Sequence, residues 1–375
     1  MRVLTIKGGR LLSPADGLNG DRLDLLVSGG RILDIGESLE PLGTVIDAAD
    51  AYVTPGFIDI HTHCYPKTFL GMEPDVLGLD RDATTIVDAG SSGAATYEDF
   101  RANYISHSNT KVFTLLNVSK EGLLYGHELD DPKKVDLGYV REVVSEHRDN
   151  IVGLKARASS SVVGEEGLEP ISRAASIAHE LGIPLMVHIG NYPPAFSVVL
   201  DLLDQGDIIT HAFHGKPGGI LTEGRDAIIP QALLARERGV KFDVGHGVAS
   251  FSFKTFKRAL ELGFDCDSIS TDLHVQNYEG PVYSITAVLS KLLNCGETLE
   301  QVVSKCTSVP ADYFGLAGLG HLCAGDAADI NLVRLVDCDE RVVDSMGDSI
   351  ELKQKLIVEK TIYSKEGNSA VIERA

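Results

Sequence analysis

Thr54-Pro-Gly-Phe-Ile-Asp-Ile-His-Thr-His63 is an apolar run that ends in two histidines one residue apart. Successive side chains of a β-strand point to opposite faces, so His61 and His63 share a face. Two imidazoles side by side at a strand end can grip one metal ion through their ring nitrogens. A His-x-His pair alone is a weak signal. It gains weight here because further metal-ligating residue types recur downstream, each at the end of its own apolar run.

Those runs set the expected architecture. Short apolar segments at 57–61, 85–88, 112–117, 151–155, 185–188, 208–211, 241–244 and 268–272 alternate with helical stretches. Eight strands alternating with helices is the arithmetic of a (β/α)8, TIM-like barrel of the α/β class, expected over residues 56–319. One intervening helix is well marked. Pro170 stands at its first turn, Ile171, Ala174, Ala175, Ile177, Ala178 and Leu181 form its apolar stripe, and Gly182 ends it. Farther on, Thr298-Leu-Glu-Gln301 has the form of a capping box that opens another helix. Outside the barrel the pattern is β-like: Val3-Leu4-Ile6, Leu25-Leu26-Val27 and Ile32-Leu33-Ile35 at the start, 330–333 and 355–358 near the end. Residues 1–55 and 320–375 are therefore expected to combine into one small composite β-sandwich domain.

Composition narrows the function classes. A hydrophobic content of 43% without low-complexity tracts suits a globular chain, and 375 residues suffice for a large domain plus a small one. The formal charge of −20 repels nucleic acid and anionic membrane surfaces, and no basic cluster interrupts it. The partner implied is a small-molecule substrate, with no nucleic acid and no membrane. The outer helices of such a barrel leave room for a homo-oligomer. The first residues lack the apolar core of a signal peptide and no stretch is long enough to span a bilayer, so a cytoplasmic location is expected. Six cysteines without paired spacing fit reduced thiols.

The ligand-type residues all fall at run ends: His61 and His63 on the first, Lys155 on the fourth, His188 on the fifth, His211 on the sixth, Asp272 on the eighth. In a barrel of this kind the C-terminal strand ends converge on the active site. This succession resembles the amidohydrolase superfamily with a binuclear metal centre. The likeness extends over nearly the whole chain, including Val53-Thr-Pro-Gly-Phe-Ile-Asp59, Cys306-Thr-Ser-Val-Pro-Ala311, Gly315-Leu316 and Leu322-Cys-Ala-Gly-Asp-Ala-Ala-Asp-Ile330. Gly153-Leu-Lys-Ala-Arg157, Met186-Val-His-Ile-Gly190, Ile209-Thr-His-Ala-Phe213 and Ser270-Thr-Asp-Leu-His274 look like one branch. Its members are often labelled dihydroorotase or adenine deaminase, but they resemble deacetylase-type enzymes that cleave acylated hydroxy or amino acids.

The resemblance implies that His61, His63 and Asp272 hold a first, more buried metal ion and that His188 and His211 hold a second. It implies that Lys155 bridges both as an N6-carboxylated lysine. Burial lowers a lysine's pKa and exposes a neutral amine that can add carbon dioxide. Histidine, carboxylate and carbamate donors suit zinc best, with manganese or iron as alternatives. On this reading two divalent ions share a hydroxide, Asp272 is general base and then general acid, and an ester or amide carbonyl is attacked.

Arg157 lies two residues beyond Lys155 on the same expected face and is the expected anchor for a substrate carboxylate. His246, His274 and Tyr283 are further candidates for the pocket lining, each with packing as the competing role. Cys64 and His214 read as structural and loop residues. Cys64-Tyr65-Pro66-Lys67 lacks the arginine that dihydroorotases usually carry after His-x-His, which counts against that activity. The alternatives are a cyclic amide hydrolase of dihydroorotase or dihydropyrimidinase type, an adenine deaminase, and a non-catalytic scaffold on the same fold.

Overall fold

A computed structural model describes residues 2–374. The N-terminal segment forms β1 (Val3–Ser13), β2 (Leu18–Ser28), β3 (Arg31–Gly36), β4 (Thr44–Asp47) and β5 (Tyr52–Pro55). The middle of the chain supplies β6 (Phe57–Thr62), β7 (Ala83–Gly93), β8 (Lys111–Asn117), β9 (Ile151–Ala158), β10 (Leu185–Ile189), β11 (Ile208–Thr210) and β12 (Lys241–Phe242). The end of the chain supplies β13 (Ile330–Val343), β14 (Ser349–Lys365) and β15 (Asn368–Glu373).

The middle strands form one seven-stranded sheet in sequence order, every neighbouring pair parallel. Parallel neighbours need crossovers, and helices supply several of them. Glu169–Leu181 crosses from β9 to β10, with a proline in its first turn and Gly182 at φ +64° as its C-cap. It buries Pro170, Ile171, Ala174, Ala175, Ile177 and Ala178, the stripe expected from its spacing. This mixed α/β architecture is consistent with a TIM-like barrel. Inside the sheet, Ile58, Ile60, Val87, Leu115, Met186 and Ile208 form an apolar layer closed by Ala311, Phe314, Leu316 and Leu319. The helix that follows Thr298 carries the expected capping box with Gln301.

The eighth expected strand departs from regularity. Residues 268–273 make only single bridges, Ser268 to Asp243 and Leu273 to Thr62. Backbone bonds nevertheless reach both edges of the sheet: Val244, His246 and Gly247 donate to Ser268, Ser270 and Thr271, and His63 donates to Leu273 at 3.0 Å. The interruption has two visible causes. Asp272 sits at φ +54°, which breaks an extended ladder, and the Thr271 N–H donates to the Asp59 side chain rather than to a backbone carbonyl.

The two ends of the chain share a second sheet, in the order β15-β14-β13-β5-β1-β2-β3 with β4 beside β1. Leu4, Ile6, Leu25, Val27, Val53, Ile330, Leu332 and Ile362 bury one face of it. Lys111 of β8 ties the two sheets together through an ion pair with Asp329. Among the described residues no helix is long and apolar enough to cross a membrane.

Asp59 is the acceptor for the seam between the first and last of the middle segments, taking the Thr271 hydroxyl at 2.5 Å and the backbone N–H groups of Thr271 and His61. An Asp59→Ala variant strands those buried donors. It is expected to lose about 3 kcal/mol of stability, seen as a lower urea midpoint. An unchanged midpoint would show that the seam does not depend on this carboxylate.

Candidate metal centre

The strand ends bring five of the six expected ligands into one buried cluster and lay the sixth against it. Asp272 Oδ1 lies 3.4 Å from His61 Nε2 and 3.2 Å from His63 Nε2, and its Oδ2 lies 4.0 Å from His211 Nε2. Lys155 Nζ lies 3.1 Å from His61 Nε2 and 3.2 Å from the Met186 sulfur. The His188 ring stands edge-on to His211, with centroids 4.5 Å apart. His61, His211 and Asp272 each have one ligand atom within 4.8 Å of the others.

The outer nitrogens explain why the inner ones point as they do. His61 Nδ1 is 2.9 Å from Thr210 Oγ1, which donates to Asp243 Oδ2 at 2.7 Å. That chain assigns the proton to Nδ1 and leaves the Nε2 lone pair facing the cluster. His211 Nδ1 is held by the Gly245 carbonyl at 2.6 Å, and Ser91 Oγ lies 3.0 Å from His63 Nδ1. His211 Nε2 is left buried without a hydrogen-bond partner among the described residues. A buried orphaned nitrogen carries a cost unless something occupies its lone pair.

Burial also sets the charge states. It drives the imidazoles of His61 and His188 well below the ordinary histidine range and that of His211 to about 3, so these rings are neutral donors at pH 7. Burial brings the Lys155 ammonium down to about 7, against the opposing pull of Asp272 and Asp243. For Asp272, burial is the largest influence and pushes upward, but the hydrogen bond from His63 and the attraction of the His274, His211 and His63 rings together outweigh it and keep the carboxyl well below its usual range. Neutral imidazoles, an ionised carboxylate and a lysine whose pKa burial has lowered are donors suited to divalent cations, so these residues fit a metal pair.

Strain marks the same place. His211 at φ +65° and Asp272 at φ +54° are non-glycine residues in the left-handed region. Gly247, at φ +54°, has no room for a side chain, because a Cβ there would meet Asp272 Oδ2 at 2.5 Å.

The substrate-side expectations fare differently. His274 is buried beside the cluster, its ring 6.1 Å from that of His63. Arg157 is a correction. Its Nε and Nη2 donate to both oxygens of buried Glu128 at 2.5 and 2.6 Å, so its fork is taken and it is not a free carboxylate anchor. His246 lies beyond the end of β12 and is wholly buried, stacked on Phe251, with Lys291 Nζ 3.0 Å from Nε2 and the Gly247 carbonyl on Nδ1. That is a packed, satisfied histidine rather than a pocket wall. Tyr283 is half exposed and lines a separate cavity of about 640 Å³ with Thr286, Lys291 and Leu356, none of them in the metal cluster.

Sequence reading missed Thr210, Ser91, Asp243 and Glu128. Asp243 accepts hydroxyls from Thr210, Ser268 and Ser270, and stands immediately before Val244-Gly-His-Gly247.

Buried imidazoles converging on a carboxylate at parallel strand ends define a metal-dependent hydrolase. Residues 52–364 match the amidohydrolase family, and the chain belongs to it. It is 38% identical over 314 residues to a deacetylase of Enterococcus faecalis, covering 83% of this chain and 85% of that protein. It is likewise 38% identical over 345 residues to a deacetylase of Agrobacterium fabrum, covering 90% and 84%. Among solved structures, an adenine deaminase superposes with TM-score 0.93 at 34% identity, with full coverage of both chains. A dihydroorotase superposes with TM-score 0.92 at 33% identity, covering 100% of this chain and 99% of the other. The family generally uses a binuclear metal site.

Thr210→Val removes the hydroxyl between His61 and Asp243 while keeping the side chain's shape. Loss of such an outer partner is expected to weaken metal retention roughly tenfold or more, measured as metal content after dialysis against a chelator. Retention equal to that of the unaltered protein would show that His61 needs no orienting partner.

Proposed function

We propose that this chain is a deacetylase-type hydrolase that cleaves the ester or amide bond of a small, carboxylate-bearing acylated hydroxy or amino acid. The observation that carries this is 38% identity to two deacetylases over more than four-fifths of each of their lengths. The donor set described above supports the chemistry. His61, His63 and Asp272 would hold one ion, His188 and His211 the other, with Lys155 bridging them as its carbamate; zinc suits the donors best. Bound there, two divalent ions supply Lewis acidity to the attacked carbonyl and to the attacking water.

The residues of the chain do the rest. Asp272, ionised at neutral pH, orients the attacking water and accepts its proton as the new carbon–oxygen bond forms. It then returns that proton to the departing alkoxide or amine as the old bond breaks, releasing a carboxylic acid and an alcohol or amine. The neutral amine of Lys155 can add carbon dioxide with loss of one proton to solvent, and the carbamate anion would be stabilised by cations held at this site. His274, beside His63, would hydrogen-bond the reacting group.

The same reading extends to the architecture and the setting. Residues 268–273 would act as the eighth strand of a (β/α)8 barrel spanning 56–319, since their backbone bonds reach both sheet edges. The shared sheet of 1–55 and 320–375 would be the small composite β-domain. A cytoplasmic location suits the reduced cysteines.

Asp272→Asn is expected to lower kcat on acylated hydroxy acids by about a hundredfold or more with the circular dichroism spectrum unchanged. Comparable turnover in a metal-loaded Asn variant would remove Asp272 from the proton transfer. Chelation is expected to abolish hydrolysis and zinc to restore it. Faster turnover of dihydroorotate than of any acylated acid would favour the cyclic amide reading instead.

A further inference from the structure

A cavity of about 910 Å³ opens beside His188, formed by the segments that follow β10 and β11. Gly190 lines it, and a Cβ on Gly190 would fall 2.8 Å from His188 Nε2, so the cavity wall and that imidazole are in contact. Phe196, Ile220 and Ile229 give it apolar walls, while Glu223 and Arg225 are exposed at its margin.

Two polar groups in its lining have no counterpart. His214 is 2% exposed, and its Nε2 is buried without a hydrogen-bond partner among the described residues. The Lys216 backbone N–H donates to His214 Nδ1 at 3.1 Å, which makes Nδ1 the acceptor and places the ring proton on Nε2. Nε2–H is therefore a buried donor with nothing to receive it. Lys216 is half-buried, and its ammonium forms neither an ion pair nor a hydrogen bond within the described residues. Burial lowers its pKa and no acidic neighbour opposes the shift. In a molecule of net charge −20, an uncompensated cation beside an orphaned donor marks where an anion belongs.

We propose that this cavity is the acid-binding subsite of the hydrolase, with the substrate carboxylate accepting hydrogen bonds from Lys216 Nζ and His214 Nε2–H. The inference rests on the proposed hydrolysis of acylated acids and supplies the anchor that Arg157 cannot provide. A carboxylate has two oxygens and can accept a hydrogen bond from each of these two donors. The acyl group would then lie toward His188, and the substrate's own side chain along Phe196 and Ile220. The class selected is an acylated α-hydroxy or α-amino acid with an apolar side chain.

The test uses zinc-loaded full-length protein, with α-hydroxyisocaproate and its uncharged amide as calorimetric ligands and the O-acetyl acid as substrate. Lys216→Met and His214→Phe are each expected to weaken binding of the acid roughly tenfold or more, and Lys216→Arg to retain it. KM for the O-acetyl acid should rise in step in Lys216→Met, and binding of the amide should be equally weak in all four proteins. Binding of the acid that is the same in Lys216→Met as in the unaltered protein overturns the subsite, and continued hydrolysis there would leave the reaction class standing. No binding of the acid by the unaltered protein also overturns it. Lys216-dependent binding without hydrolysis of any acylated acid supports the subsite while overturning the proposed reaction.

Discussion

The metal cluster depends on where Asp272 is held, and Asp272 is held by the seam between the first and last of the middle segments. Its neighbours Thr271 and Leu273 are bonded on either side, Thr271 to the Asp59 carboxylate and Leu273 to the backbone of His61 and His63. Between those fixed points the chain turns through a left-handed residue, which throws the Asp272 side chain across to His61 and His63. A regular eighth strand would keep Asp272 in extended geometry. The broken ladder and the positive φ are the same fact viewed twice, and Gly247 is the residue small enough to pass beneath the displaced carboxylate.

Burial then does the electrostatic work. Desolvation disfavours charge on three imidazoles at once and brings a lysine into the range where its amine is partly free. Left to themselves, buried neutral rings with inward lone pairs are a destabilising arrangement, and the orphaned His211 Nε2 is its clearest sign. Cations bound there would turn that cost into binding energy, because the lone pairs of His61 and His211 are already oriented by Thr210 and Gly245 and need little rearrangement. The same logic, with the sign reversed, applies a few residues away, where Lys216 and His214 are donors awaiting an anion.

Much of this was legible in the sequence, for reasons of periodicity and residue type. Strand ends carry period-two alternation, which puts His61 and His63 on one face, and each later ligand closes its own apolar run. The helix Glu169–Leu181 announced both of its ends through Pro170 and Gly182. What was illegible depends on pairing across long sequence separations. Nothing local to Arg157 signals that Glu128, 29 residues upstream, closes around its guanidinium. Nothing near His246 announces Lys291, 45 residues later, or the hairpin tip at Ser345, whose hydroxyl donates to the carbonyls of His246 and Gly247. His214 read as a loop histidine, and only its missing partner in three dimensions gives it a role. The bend at Asp272 was hidden for a different reason. Its strand-like composition is real, and a tertiary contact from Asp59 overrides it.

We propose that Lys155 and the surrounding histidines hold two cations through a lysine carbamate. Anomalous diffraction at the zinc edge from crystals of the zinc-loaded protein tests it most directly. Two peaks are expected about 3.5–4 Å apart, one among His61, His63 and Asp272 and one between His188 and His211, with continuous density from Lys155 Nζ to both. A single peak beside a bare Lys155 amine would contradict the bridging role, and no peak within the cluster would contradict the metal centre itself.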